Sequence, residues 1–173
     1  MTYKEIQNKF DNSDFIFYYH YFYGFSEKLC SYTFFINSNF NFDLILNFHE
    51  KPIDFSKVLS NDIRDYRREL YLKCKTPEAI RHKLKYILDN PFELKDSYLK
   101  KSEIGKYSSS DTVNQSSYIN HKNGKFSINL GDGFDRNLII TNAEIDFMDL
   151  VMLVHKWLDE ISDDLMKYYG YTE

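Results

Sequence analysis

The succession of hydrophobic periods along the chain predicts an α+β fold. Three segments with a two-residue apolar repeat come first, helical repeats follow, a hairpin signature comes next, and a long amphipathic segment closes the sequence. Because the strands cluster instead of alternating singly with helices, we expect an antiparallel or mixed sheet with helices packed on it. With 173 residues, 43% of them hydrophobic, residues 1–173 are expected to form a single domain whose core needs no disulfide or structural metal.

The first strand cluster is predicted to be a three-stranded antiparallel meander that follows a short helix over residues 2–11. Its strands cover residues 15–23, 29–36 and 39–49. The third strand alternates most clearly, and the apolar positions on one of its faces are Phe40, Phe42, Leu44, Leu46 and Phe48. Only Ile45 interrupts the polar face of that strand.

After Pro52 the apolar repeat becomes helical, which predicts two or three helices. The stripe of the first helix consists of Leu59, Ile63, Tyr66, Leu70 and Cys74. The second helix begins at Thr76 and Pro77 and ends before Pro91, and its inner positions are Ile80, Leu84, Ile87 and Leu88. A weaker helical pattern covers residues 93–104 and ends at Gly105.

A polar, serine-rich segment over residues 106–117 predicts a flexible surface loop. Beyond it, residues 118–121 and 125–130 flank an Asn-Gly pair, which favours a hairpin turn because both residues tolerate positive φ. A further strand is expected at residues 138–140. The second strand cluster is therefore predicted to be a hairpin plus a strand, and the sequence is compatible with one sheet or with two.

The last segment predicts a long C-terminal helix. Thr141 and Glu144 have the spacing of a capping box, and the helical pattern continues to about Tyr169. The inner positions of this helix are Phe147, Leu150, Val151, Val154, Leu158, Ile161 and Leu165. Apolar residues cover nearly its whole circumference between Leu150 and Val154, so we expect it to be packed on more than one side.

The cysteines and the lack of a long apolar segment predict the compartment in which the protein works. The two cysteines, Cys30 and Cys74, lack the spacing of a metal or redox motif, and no secretory segment is recognised ahead of them. We therefore expect a reducing, cytoplasmic compartment. No segment contains the roughly 18 to 20 apolar residues that cross a bilayer, so a membrane partner is not expected.

None of the motifs that mark familiar enzyme classes occurs in the sequence. The five histidines stand singly, without metal-ligand spacing, and are interpreted as structural residues. The glycine-containing stretch 131–135 is typical of a tight turn and lacks the further acidic ligands of a calcium loop. We expect no catalysis, no cofactor and no metal. The alternative is an enzyme whose site forms around His20 and His49, on strands expected to be neighbours.

Negative charge is concentrated near the C-terminus. The net charge is −4, and residues 132–173 contain ten acidic residues against three basic ones. Four acids fall in the later turns of the final helix: Asp159, Glu160, Asp163 and Asp164. Because negative charge there opposes the helix dipole, local stability does not account for it. We interpret these four residues as a surface that binds a basic partner; neutralisation by the chain's own lysines, or plain solubility, is the competing explanation.

Residues 64–85 have the opposite charge, with eight Lys or Arg against three acids. Tyrosines interleaved with cations suit the stacking of bases and the binding of phosphates. In a nucleic-acid-binding regulator, the binding residues would be Arg64, Arg67, Arg68, Lys75, Arg81 and Lys85. The competing interpretation is a solvated helix face.

These observations favour a binding protein without catalysis. The expected class is a small inhibitor or antidote of phage or mobile-element type, either anti-CRISPR-like or toxin-immunity-like. Its partner is expected to be another protein, basic or nucleic-acid-binding. Direct nucleic-acid binding through residues 64–85 and an enzyme of unrecognised class are the two alternatives.

Overall fold

A computed structural model describes residues 15–22, 29–49, 67–92, 114–130 and 141–168. Within these ranges the chain forms β1 (Phe15–Phe22), β2 (Leu29–Asn37), β3 (Asn41–His49), β4 (Arg67–Lys75), α1 (Glu78–Asp89), β5 (Asn114–His121), β6 (Gly124–Leu130) and α2 (Asn142–Tyr168). The six strands make one sheet in the order β4-β3-β2-β1-β5-β6, and every neighbouring pair is antiparallel. The predicted α+β class is confirmed, and β1 joins the two strand clusters by pairing with β5.

The predicted meander of β1, β2 and β3 is confirmed, and its second turn is fixed by Asn37. The side-chain oxygen of Asn37 accepts the backbone N–H groups of Asn39 and Asn41, both at 3.0 Å. Phe40 has a φ of 55°, a conformation that L residues rarely adopt. The Phe40 carbonyl accepts the N–H of Thr76 at 2.9 Å, so the turn is tied to the connection between β4 and α1.

The prediction of a helix that ends near Cys74 is wrong for residues 67–75. Residues 67–75 form β4, which pairs with β3 in continuous register from Asn41↔Lys75 to His49↔Arg67. Leu70 and Leu72 pack against the core. A spacing of four residues puts side chains on one face of a helix and also on one face of a strand. Pairing with β3 decides between the two, while residues 51–66 lie outside the described residues.

The capping box of the last helix is formed as predicted. The N–H of Thr141 donates to Glu144 Oε2 at 2.9 Å, and the N–H of Glu144 donates to Thr141 Oγ1 at 3.2 Å. These bonds satisfy backbone donors that the first helical turn leaves without partners. The 27-residue helix α2 therefore begins at the position that its sequence specifies.

The shorter helix and the hairpin also match the prediction. α1 begins after Pro77 and has Ile80, Leu84 and Ile87 buried. The hairpin loop between β5 and β6 is Lys122-Asn123, and the following Gly124 has a φ of 143°, which favours glycine. β5 starts at Asn114, so the last four residues of the predicted loop 106–117 are strand. Residues 106–113 lie outside the described residues, as do the predicted helices at 2–11 and 93–104 and the strand at 138–140.

The main core lies between one face of the sheet and both helices. Phe17 meets Phe147 with ring centroids 6.4 Å apart, and Trp157 contacts Phe34 and Phe42 edge-on at 5.4 and 5.2 Å. Aromatic rings from the meander therefore hold α2 on the sheet.

A second, smaller apolar cluster lies on the opposite face of the sheet. Its buried members are Tyr18, Phe35 and Ile45, with Phe15 and Tyr118 packed against them. Ile45, which interrupts the polar face of β3 in the sequence, is therefore a core residue of this second cluster.

Candidate functional site on the last helix

Three of the four predicted partner-binding residues lie on the solvent side of the later turns of α2. Glu160, Asp163 and Asp164 are exposed, while Leu158 on the opposite side is fully buried. Asp164 has an ion pair with Lys167 on the same helix, at 3.8 Å between largely exposed groups. Within the described part of the chain, no ion pair joins Glu160 or Asp163 to another side chain. Their charge is available to solvent.

The fourth predicted residue, Asp159, is in a different environment. Its Oδ2 lies 3.3 Å from Nε2 of His155, one helical turn earlier. Its Oδ1 accepts a hydrogen bond of 3.3 Å from the hydroxyl of Tyr32. The structure therefore separates Asp159 from the other three carboxylates and places it at the junction between α2 and the sheet.

Two buried tyrosines complete this junction. Nδ1 of His155 lies 2.6 Å from the Tyr32 hydroxyl and 2.9 Å from the Tyr19 hydroxyl. Both tyrosines are fully buried, and the ring of Tyr21 packs on His155 with centroids 4.7 Å apart. We call Tyr19, Tyr32, His155 and Asp159 the His155 network.

The chemistry of the partners assigns the tautomer of His155. An ionised Asp159 only accepts hydrogen bonds, so the Nε2 of neutral His155 carries the proton and its Nδ1 is an acceptor. The Tyr32 hydroxyl has one proton, which goes either to Nδ1 or to Asp159 Oδ1 and not to both at once. Burial lowers the pKa of His155, and the charge of Asp159 opposes that shift only in part. Both ring nitrogens contact protein groups in this neutral state. The arrangement suits a connection between helix and sheet better than a base held ready for a substrate.

Only part of this network has a sequence signal. His155 and Asp159 are four residues apart, which places them on one face of a helix, and that spacing identifies the pair. Tyr32 is 127 positions from Asp159, and Tyr19 is 136 positions from His155. No local pattern predicts those contacts.

The alternative enzyme site is expected around His20, which lies on β1, and His49, which lies on β3. β2 lies between β1 and β3, so the expectation that the two histidines occupy neighbouring strands is wrong. His20 pairs in register with Thr33, and its Nδ1 lies 2.9 Å from the Thr33 hydroxyl. Burial lowers the pKa of His20.

The residues of the nucleic-acid alternative fall on two kinds of element. Arg67, Arg68 and Lys75 belong to strand β4, whereas Arg81 and Lys85 belong to α1. The predicted pair of basic helices is thus wrong for residues 67–75, and Arg64 lies outside the described residues. Arg81 is 3.8 Å from Glu78 of its own helix.

Lys83, another base of this region, contacts acidic residues of α2. Its Nζ lies 2.7 Å from Asp146 and 3.4 Å from Asp149. Part of the positive charge of residues 64–85 is therefore matched within the protein, and less of it remains for phosphates.

No family model, curated protein or solved structure matches this chain. Neither α1 nor α2, the helices of the described residues, combines the length and apolar character needed to cross a bilayer. Over the same part of the chain, His, Cys, Asp and Glu side chains form no group of three or more that could hold a metal ion. The function has to be inferred from the side chains of α2 and its neighbours.

Proposed function

We propose that this protein is a non-catalytic inhibitor or antidote of phage or mobile-element type, anti-CRISPR-like or toxin-immunity-like, that binds a basic protein. Glu160, Asp163 and Asp164 form the contact surface, which we call the acidic face, and Asp159 adds negative charge behind it. The observation that supports this proposal is the exposure of three carboxylates on the later turns of a helix whose other side is buried.

The acidic face is held in place before any partner binds. Leu158 is fully buried, and Ile161 and Leu165 pack against the core, so the later turns of α2 are docked. A surface that is already ordered loses less conformational entropy on binding than a mobile one. Carboxylates grouped on such a surface steer a basic partner and accelerate association at low ionic strength.

The charge of the acidic face does not serve the stability of its own helix. Through the helix dipole, an acid in the last turn costs about 0.3 to 1 kcal/mol at low salt, and the effect is smaller for the acidic face, which precedes that turn. Lys167, in the last turn, contacts only Asp164 among the residues of the acidic face. Binding to a basic partner accounts for the position of these charges.

A cytoplasmic location is part of the same proposal. Cys74 is a free, exposed thiol. Exposed thiols persist in reducing compartments, where disulfides are rare.

The test uses nucleases, the basic enzymes that such inhibitors and antidotes act on. Purified Cas9-type effectors and nuclease toxins are assayed for DNA cleavage with and without the protein, and binding is measured by biolayer interferometry. We expect one of them to be inhibited. The triple variant Glu160→Gln, Asp163→Asn, Asp164→Asn should bind that nuclease at least about tenfold more weakly, because close charge pairs at interfaces contribute several kcal/mol.

A matched control removes the same charge elsewhere. Glu69→Gln, Glu78→Gln, Asp89→Asn neutralises three exposed acids on β4 and α1 and should leave affinity unchanged. Asp159 is kept in both variants because it belongs to the His155 network. Equal affinity of wild type and the acidic-face variant would exclude this surface, and failure to bind any nuclease of the panel would contradict the inhibitor class.

A further inference from the structure

β4 is the first strand of the sheet, and its outer edge pairs with no other strand in the described part of the chain. The edge of a sheet presents backbone N–H and C=O groups to which a further strand can be added. On this strand the side chains of Glu69, Tyr71, Lys73 and Lys75 are exposed, and Tyr71 is 57% exposed. β4 is therefore accessible to a strand of a second molecule.

The side chains of β4 are arranged symmetrically about Tyr71, the middle of its nine residues. Leu70 and Leu72 flank it directly, and Glu69 and Lys73 lie two residues before and after it. Two copies of β4 that pair antiparallel with their Tyr71 residues opposite each other place Glu69 of one copy opposite Lys73 of the other. The same register places Leu70 opposite Leu72. A two-fold axis repeats each contact, so every favourable pair occurs twice.

Both faces of the sheet would continue across such a junction. Leu70 and Leu72 are partly buried and pack against the main core, so a second copy would cover more of their surface. On the other face, Lys73 is the register partner of Asp43 of β3, and its Nζ lies 3.8 Å from that carboxylate. Glu69 of the second copy would lie on the far side of Lys73. Apolar residues would meet apolar ones, and acids and bases would alternate across the strands.

Charge and length favour this register over its neighbours. A shift of one residue would put the apolar face of one copy beside the polar face of the other. Centring the pair on Leu72 would place Glu69 opposite Lys75, but would leave the first two residues of β4 outside the ladder. The register centred on Tyr71 pairs all nine residues. Its one unfavourable position, at each end of the ladder, is Arg67 opposite Lys75.

We propose that β4 is a self-association surface through which two copies of this chain form a two-fold dimer. The six strands of each copy join into one continuous antiparallel sheet, with Tyr71 at the axis and Glu69 paired with Lys73 on both sides of it. Lysines at a sheet edge ordinarily oppose the addition of another strand. Here they select one partner strand, the β4 of a second copy. This surface is separate from the acidic face, so the inference does not depend on the proposed function.

The first experiment measures the mass of the full chain by sedimentation equilibrium over a concentration series. Wild type should associate to twice the monomer mass and no further, because the two-fold axis closes the assembly. Glu69→Lys and Lys73→Glu each set like charges opposite one another on both sides of the axis. Each should raise the dimer dissociation constant about tenfold or more. Wild type that stays monomeric up to about 1 mM would overturn the inference.

The second experiment mixes the two variants in equal amounts. In a mixed dimer one copy has only lysine at the two exchanged positions and the other has only glutamate, so both cross-strand pairs again have opposite charge. The dissociation constant should return to within about threefold of wild type. Both positions are exposed, so the thermal midpoints of the variants should stay close to that of wild type. A mixture that associates no better than either variant alone would exclude the pairing of Glu69 with Lys73.

A third variant, Lys75→Glu, distinguishes the two registers that pair Glu69 with a lysine. In the register centred on Tyr71 it sets opposite charges at both ends of the ladder and should tighten the dimer about twofold or more. In the register centred on Leu72 it would face Glu69, and the dimer would weaken, which would contradict the proposed arrangement. Lys85→Glu, at an exposed position of α1, is the control and should leave the dissociation constant unchanged.

Self-association and nuclease binding are measured separately. When the protein is immobilised and the nuclease is in solution, each acidic face binds its own nuclease molecule, so a weaker β4 dimer does not alter that affinity. This holds for the control variant that contains Glu69→Gln. The acidic-face variant should in turn dimerise as wild type does. Dimerisation that is lost in the acidic-face variant and kept in Glu69→Lys would assign self-association to α2 and overturn the inference.

Discussion

The acidic residues in the two halves of α2 have different contacts. In the first half, Asp146 and Asp149 contact the same Lys83 ammonium of α1, at 2.7 and 3.4 Å. In the second half, Glu160 and Asp163 are exposed and have no ion pair with any described residue. Acidic residues on the same helix thus have different roles. Among the described residues, a base of α1, Lys83, contacts acids of the first half and none of the second.

This contrast separates acids that serve the fold from acids that do not. Glu144 belongs to the first group too, since it closes the capping box with Thr141. Asp159 is intermediate, because it contacts Tyr32 and His155 yet remains partly exposed. Counting acids in the sequence identifies none of these groups, since the difference depends on what lies opposite each carboxylate.

The largest expected effects test whether both halves are docked equally. Phe147 in the first half and Leu158 in the second are fully buried. Phe147→Ala should cost about 3 to 5 kcal/mol and Leu158→Ala about 2 to 5 kcal/mol of unfolding free energy, measured with urea. A cost below about 1 kcal/mol for Leu158→Ala would show that the acidic face lies on a loosely held helix end.

A smaller effect concerns the start of the helix, where a negative charge is favourable. Thr141→Ala removes the acceptor of the Glu144 N–H and should cost about 1 kcal/mol. Thr141→Ser keeps the hydroxyl and should cost less than half as much. Equal losses in the two variants would show that the hydroxyl does not cap the helix.

The smallest expected effect tests the ion pairs of the first half. Lys83→Met should lower the unfolding free energy by about 1 kcal/mol or less, because the groups are only partly buried. The difference from wild type should shrink in about 1 M salt, where charges are screened. Lys85→Met, at an exposed position of the same helix, is the control and should change stability little. If both variants lose the same unfolding free energy, the acids of the first half gain no more stability from ion pairs than those of the second.

β4 shows why one element was predicted wrongly. Residues 69–75 alternate, with Leu70, Leu72 and Cys74 on one parity and polar residues or Tyr71 on the other. That two-residue period was present, but the helical stripe from Leu59 to Cys74 is longer and dominates the sequence pattern. The backbone of β3 supplies the hydrogen bonds that settle the conformation, and it is distant in sequence.

β5 shows an error of the opposite kind, in which a strand is predicted as a loop because its partner strands are distant in sequence. Asn114 to Ser117 have the polar composition of a loop, yet they are strand residues paired with β1. Ser117 is fully buried. A strand between two others gains hydrogen bonds on both sides, and this outweighs its low intrinsic preference for the strand.

The sequence alone determined the features that depend on neighbours within about four residues: the cap at Thr141, the faces of β3, the buried stripe of α1 and the hairpin after His121. Only the tertiary structure decided that β4 is a strand, that β1 joins β2 to β5, and that Asp159 is separated from Glu160 and Asp163. The reason is physical: those outcomes depend on contacts between residues far apart in the chain, as with Tyr32 and Asp159, 127 positions apart. Local spacing carries no information about such pairs.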